Sequence, residues 1–202
     1  AVDLRPSNST YTVREIMAAL NSALKADNMT AKALNKYFGC PKKTALTPVC
    51  ALPFSSERKL SAVSFRGVGT YILGAPEFVM TVPNQRVTDM VQRYAEQGLR
   101  VLLLAYSTTA IAEGQSLPTM RRPVAVIVIE DHIRTDAPQT IEWFVKNGVN
   151  IKIISGDNPT AVSNIALRVG VENADKYISL EGMSDEDVAK AATEYTVFGR
   201  VS

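Results

Sequence analysis

Ser155-Gly156-Asp157 closes the apolar run "VNIKII", and Asn158-Pro159 follows at once. A hydroxyl, a glycine and a carboxylate at a strand end, with a helix start behind them, could hold a phosphoryl group. Asn is a good N-cap, and Pro at the first helical position gives up an N–H that has no helical partner anyway. The N–H groups left over at a helix start attract anions. Glu130-Asp131 with Arg134 follow "VAVIVI", and Gly199-Arg200 follow "YTVF". In open α/β sheets ligands sit beyond the carboxyl ends of the strands. The three clusters are therefore expected along one edge, where hydroxyl, carboxylate and guanidinium together suit a phosphate and its metal. Any strand also ends in something polar when it reaches water, so a plain strand-to-helix turn is the competing reading.

The first half carries a second set. Phe54 opens "FSSERK", Gly74 lies in "LGAPE" and Arg100 in "GLR". An aromatic ring at a strand end could stack on a base. Lys59 and Arg100 could hold phosphates as cations, and Gly74 lets a ligand approach the backbone. A half-buried sheet with Phe54 in its core and the cations in water explains the same residues.

The elements that must position these groups are legible in outline. Thr12-Val13-Arg14-Glu15 is a capping box, and Ile16, Met17, Leu20 and Leu24 follow on one helical face. A second helix is expected from Asn28 to Gly39, which is suited to a helix end. "VCALPF", "LSAVSFR", "GTYILGA" and "LRVLLLAYS" read as strands, with a tight turn at Gly67-Val68-Gly69 and a helix over 84–97. Residues 108–121 read as a polar connector. From "VAVIVIE" onward strand and helix alternate, which predicts a parallel, doubly wound sheet. Asp136, Asn158 and Ser184 are the expected helix caps there, and Ile141, Phe144 and Val145 the inner stripe of the helix after Asp136. Two units follow: an α+β unit over 1–121 and an α/β unit over 122–202.

The composition excludes several classes. The 202 residues carry a net charge of +2, too small to argue for nucleic acid or a membrane surface. No apolar run approaches the roughly 20 residues of a membrane span, and the first residues have no signal-peptide core. Cys40 and Cys50, with His132 alone far away, make no zinc set. Free buried thiols in a reducing compartment are expected.

Taken in order, these stretches resemble the cytoplasmic loop of P-type cation-transporting ATPases. That family has FSSxRK, KGAPE, a Gly-x-Arg strand, a D-x-x-R turn, TGD and FARV. Here they stand as Phe54–Lys59, Leu73–Glu77, Gly98–Arg100, Asp131–Arg134, Ser155–Asp157 and Phe198–Val201. The resemblance implies an ATP-binding domain, an antiparallel sheet flanked by helices, over 1–121. It implies part of a phosphorylation domain of haloacid dehalogenase-like fold over 122–202. Phe54 would stack on adenine, with Ser56 and Lys59 beside it, Gly74 lining the pocket and Arg100 reaching the phosphates. Asp27 is the candidate for the family's acidic residue near adenine. Ser155, Gly156 and Asp157 would meet the transferred phosphoryl and position nucleotide or metal, supported by Asp131, Arg134 and Arg200. ATP and, in the intact protein, Mg2+ are the implied cofactors; this chain is expected to hold no metal itself. The implied partners are the rest of the same polypeptide, with its transmembrane helices and actuator domain, and a transported cation, with calcium the leading guess. The implied location is the cytoplasmic side of a plasma membrane.

The departures are specific. Leu73 stands where KGAPE has lysine, Ser155 where TGD has threonine, and Ser56 and Gly199 are small variations. The family's phosphorylated Asp-Lys-Thr-Gly-Thr string does not occur, nor does GDGVND. The chain is thus expected to be a segment that binds nucleotide without hydrolysing it, with "VNIKII" left as a bare sheet edge. A haloacid dehalogenase-like phosphatase, or a non-catalytic interaction domain, is the alternative.

Overall fold

The computed structural model describes residues 1–6, 9–111, 116–130 and 133–201. Its elements run β1 (Val2–Asp3), α1 (Val13–Leu24), α2 (Met29–Phe38), β2 (Pro48–Leu52), β3 (Leu60–Phe65), β4 (Gly69–Gly74), α3 (Pro76–Val79), α4 (Gln85–Ala95), β5 (Arg100–Ser107) and β6 (Arg122–Ile129). Then come α5 (Ala137–Lys146), β7 (Ile153–Ile154), α6 (Pro159–Arg168), β8 (Tyr177–Ser179), α7 (Asp185–Glu194) and β9 (Val197–Gly199). The chain divides into two compact units. One comprises residues 1–91 and 101–129, the other residues 92–100 and 130–202.

The first unit is built on a six-stranded antiparallel sheet in the order β1-β6-β5-β4-β3-β2. β3 and β4 form the expected hairpin, with Phe65 opposite Gly69 and Leu60 opposite Gly74. Both strands are buried along their whole length. Side chains of a strand alternate between faces, and Val63, Phe65, Tyr71, Leu73 and Leu104 join Ile16, Met17 and Leu20 of α1 in one core. The helical stripe expected of α1 is thus the stripe it buries. On the other face Ser64 and Thr70 lie opposite each other, their hydroxyls 2.7 Å apart. Thr70 donates to the Thr109 carbonyl, so Ser64 must donate to Thr70 while accepting from the Ile111 amide. This buried chain of hydrogen bonds fastens the start of the polar connector to the sheet.

α1 begins with a complete capping box. The Thr12 hydroxyl accepts from the Glu15 amide, and the Glu15 carboxylate accepts from the Thr12 amide at 2.7 Å. The Thr12 amide and hydroxyl donors hold the Glu15 carboxyl below its ordinary pKa. A carboxylate depressed in the folded state contributes stability above its unfolded pKa and loses it as the pH falls through the folded one. Thr12→Ala is expected to cost about 1 kcal/mol at neutral pH and to flatten the loss of stability on the acid side. Thermal melts from pH 7 to pH 3 check both; parallel acid limbs for the two proteins would count against this role of Glu15.

The strand "VAVIVI" is corrected by the structure. It was expected to open a parallel sheet with "VNIKII", but as β6 it lies in the six-stranded sheet, antiparallel to β1, with Val2 opposite Val126. The second unit instead has a three-stranded parallel sheet, β7-β9-β8. β9 is central and buried throughout, and α6 packs on β9 and β8. β7 is an edge strand and Ile154 is 71% exposed, in keeping with the bare edge expected of "VNIKII". The inner stripe of α5 is also corrected: only Ile141 packs on the core of this unit, while α5 has no buried residue and Phe144 is exposed. Asp136 is at the N-cap of α5 but makes no capping hydrogen bond. Arg134 takes its carboxylate through two hydrogen bonds of 3.0 and 2.6 Å. Both cysteines are free as expected, but Cys40 is exposed and Cys50 only half-buried.

Candidate functional site

The turn after β7 is built by three sets of bonds. The Ser155 amide donates to the Phe198 carbonyl, the Val201 amide to the Ser155 carbonyl, and the Arg200 amide to the Asp157 carbonyl at 3.0 Å. The turn is therefore laced to the end of β9 by backbone alone. Inside it, the Ser155 hydroxyl accepts from the Asp157 amide at 3.1 Å, which leaves its own hydrogen available to donate. Behind it, Asn158 accepts from the Thr160 and Ala161 amides and starts α6 with Pro159 in place, as its residue types require. Gly199 lies under that helix start. A Cβ there would come within 2.6 to 2.7 Å of the Pro159 backbone nitrogen, Cα and Cβ. The absence of a side chain at Gly199 lets α6 sit directly on β9.

Two cations close on this turn. The Arg200 guanidinium donates to the Gly156 carbonyl at 3.2 Å. Arg100, which opens β5, donates to the Asp157 carboxylate at 2.5 Å, a half-buried ion pair between residues far apart in sequence. Ser155, Gly156, Asp157, Arg100 and Arg200 thus form one cluster. Arg134 is exposed and bound to Asp136 instead, and Asp131 lies outside the described residues. The expectation of three clusters along one sheet edge holds for the two that follow β7 and β9. The third follows a strand of another sheet.

Phe54, Ser56, Lys59 and Gly74 all lie in the first unit. Phe54 is 51% exposed just past β2, so it is not a core residue. Ser56 lies in the turn that follows, closed by the Lys59 amide donating to the Ser55 carbonyl. The Lys59 carbonyl accepts from the Ala75 amide, next to Gly74. Lys59 and Arg200 both have left-handed backbones, with φ of 53° and 57°. A side chain on Gly74 would meet Leu60 and the Lys59 carbonyl within 2.4 to 2.6 Å, so the close approach that needs this glycine is that of β3. Asp27 stands at the start of α2, largely exposed, 3.2 Å from Lys32. Among the described residues no group of three or more His, Cys, Asp or Glu could hold a metal ion, and none of the helices is long and apolar enough to cross a membrane.

The comparisons with known proteins bear on these two neighbourhoods together. No sequence-family model matches the chain. It is 35% identical over 190 residues to a calcium-transporting ATPase, CtpE, of Mycobacterium bovis, covering 94% of this chain and 23% of that protein. It is 35% identical over 203 residues to a probable cation-transporting ATPase, exp7, of Streptococcus pneumoniae, covering 98% of this chain and 25% of that one. A magnesium-transporting P-type ATPase of Salmonella typhimurium matches at 31% over 118 residues, covering 54% of this chain and 13% of that protein. The chain belongs to the P-type cation-transporting ATPases. It spans about a quarter of the length of the first two relatives. Two departures from the strings expected of a P-type ATPase have a structural counterpart. Leu73, at the KGAPE lysine position, is 6% exposed and part of the core beneath α1. Gly199, where FARV has alanine, is pressed against Pro159. The ion pair of Arg100 with Asp157 was not foreseen, because nothing in either local sequence names the other.

Proposed function

We propose that this chain is the ATP-handling part of a cation pump that works through an aspartyl phosphate supplied by another stretch of the same polypeptide. The unit with the six-stranded sheet is read as the nucleotide-binding domain. The unit with the parallel sheet is read as part of a haloacid dehalogenase-like phosphorylation domain. The observation that carries the proposal is the Ser155–Asp157 turn. Its backbone is fixed by β9, its serine has a hydroxyl hydrogen to give, and two guanidiniums bind it. Such a turn suits a phosphoryl group, whose transfer depends on positioning and charge stabilisation.

In this reading Phe54 stacks on adenine, while Lys59 and Arg100 hold phosphate oxygens, with Ser56, Gly74 and Asp27 around the base and Asp131 and Arg134 in support of transfer. An exposed ring with a cation a few residues away fits a nucleotide. Mg2+ is the proposed companion of ATP in the intact pump, after the family to which the chain belongs. Calcium is the proposed cargo, after the names of the mycobacterial relatives. The segment would lie on the cytoplasmic side of the membrane and bind ATP without hydrolysing it.

ATP is expected to displace a trinitrophenyl ATP analogue from the chain. Phe54→Ala should weaken ATP at least fivefold, since stacking on a base is worth about 1–3 kcal/mol, and Lys59→Gln should do the same. No displacement at millimolar ATP, or equal affinity in both variants, would sink the assignment.

A further inference from the structure

The first unit holds a cavity of about 660 Å³ at the end of the β3–β4 hairpin opposite Phe54, Lys59 and Gly74. Tyr71 is its floor, 7% exposed, and its ring centre is 5.1 Å from that of Tyr106. The Tyr106 hydroxyl donates to the Val68 carbonyl at 2.6 Å, which fixes that ring in place. Tyr11, just before α1, is a third aromatic wall. Two guanidiniums stand among these rings. Arg5 is bound by Asp3 through hydrogen bonds of 2.6 to 3.2 Å, which offsets its charge. Arg122 is exposed and lies over the face of Tyr106, 5.7 Å from the ring centre.

The volume lies in the range of small-molecule sites, and the lining is about as polar as it is apolar. Tyr11 and Tyr106, both half-buried, line the cavity above the closed floor of Tyr71, and such rings suit a flat aromatic ligand. One guanidinium on an aromatic face, with the other neutralised by a carboxylate, suits a single compact anionic group. From this we infer that the cavity is a second binding site, for a planar aromatic anion of about the size of a nucleoside monophosphate. It shares no lining residue with Phe54, Lys59 and Gly74. Its ligand would bind without competing for Phe54, Lys59 and Gly74, the set proposed above for ATP.

Amide chemical shifts followed during titration with adenosine monophosphate test this directly. Saturable shifts are expected at Tyr11, Gly67 and Val68. Arg122→Gln, an exposed change that leaves the core untouched, should weaken them at least fivefold. Uncharged adenosine should bind the same place at least fivefold more weakly. No saturable shift at those three amides up to 10 mM (~10 mM being weak even for a transient site) overturns the inference. So does an Arg122→Gln protein that binds as the parent does, or adenosine that matches the monophosphate. Shifts at Ser55, Lys59 and Gly74 are read separately. Their presence or absence bears on the ATP reading and leaves the cavity's own outcome intact.

Discussion

Replacing Phe65 with alanine is expected to cost about 3–5 kcal/mol. Phe65 is 1% exposed at the end of β3, in the core with α1, and its ring meets that of Tyr71 edge-on at 6.1 Å. Truncation removes the ring's burial and leaves a cavity between two layers that cannot both move in, because β3 is held between β2 and β4. At about 2–4 °C per kcal/mol for a chain of this size, the midpoint of thermal unfolding should fall by roughly 10 °C. Phe54→Ala deletes the same ring from a position 51% exposed, and surface changes of that kind usually stay within about 0.5 kcal/mol. The pair therefore separates two functions of one side-chain type. Phe65 should govern stability, and Phe54 should govern nucleotide affinity alone. Equal melting points for the two variants would contradict the burial on which the fold of the first unit rests.

The second large effect is expected at Gly199. Adding one methyl group there should destabilise the second unit by about 1–3 kcal/mol, the range for overpacking a filled interior. The nearest atoms are the backbone nitrogen and Cα of Pro159 as well as its Cβ, at 2.6 to 2.7 Å. A flexible side chain could turn aside, but the first turn of α6 can only shift as a body. Such a shift would move Asn158 and the turn before it. Pro159→Ala should therefore fail to rescue Gly199→Ala, since it keeps the backbone in place. Denaturant unfolding of the two single variants and the double variant measures this as a coupling energy. Full rescue by Pro159→Ala would show the ring, and not the helix backbone, to be the obstacle.

Local chemistry in the sequence was a good guide wherever one residue type had one physical use. The capping box at Thr12 and Glu15, the hairpin at Gly67-Val68-Gly69, and the Asn158-Pro159 helix start all stand where their residues require. Asp136 shows the limit of that guide. A carboxylate can cap a helix or pair with a guanidinium, and Arg134, two residues away, took it. The partner of β6 was beyond local reading for a different reason. A continuous apolar strand looks the same whether its sheet is parallel or antiparallel, provided both faces are covered. Its partner β1 has only two residues and carries no pattern at all. Likewise α3 and β8 are too short for a period to register. In the candidate site, Ser155 and Asp157 were legible from their place at a strand end. The ion pair from Arg100 to Asp157 depends on tertiary structure, and the cavity beside Tyr71 and Tyr106 needs the sheet register to bring the rings together.

Four residues other than glycine have a left-handed backbone among those described: Lys25, Lys59, Asn173 and Arg200. Lys25 ends a helix, and Asn tolerates this conformation better than most residues. That leaves Lys59 and Arg200, one beside each candidate neighbourhood. A side chain in that conformation is strained by roughly 1–2 kcal/mol, and glycine would relax it. Lys59→Gly or Arg200→Gly would therefore relax the backbone there and remove the charge with it. At both places a long cation stands on a strained backbone, so a relaxed chain and a charge at that position exclude each other. A screen for heat-resistant variants would tend to remove those two charges early.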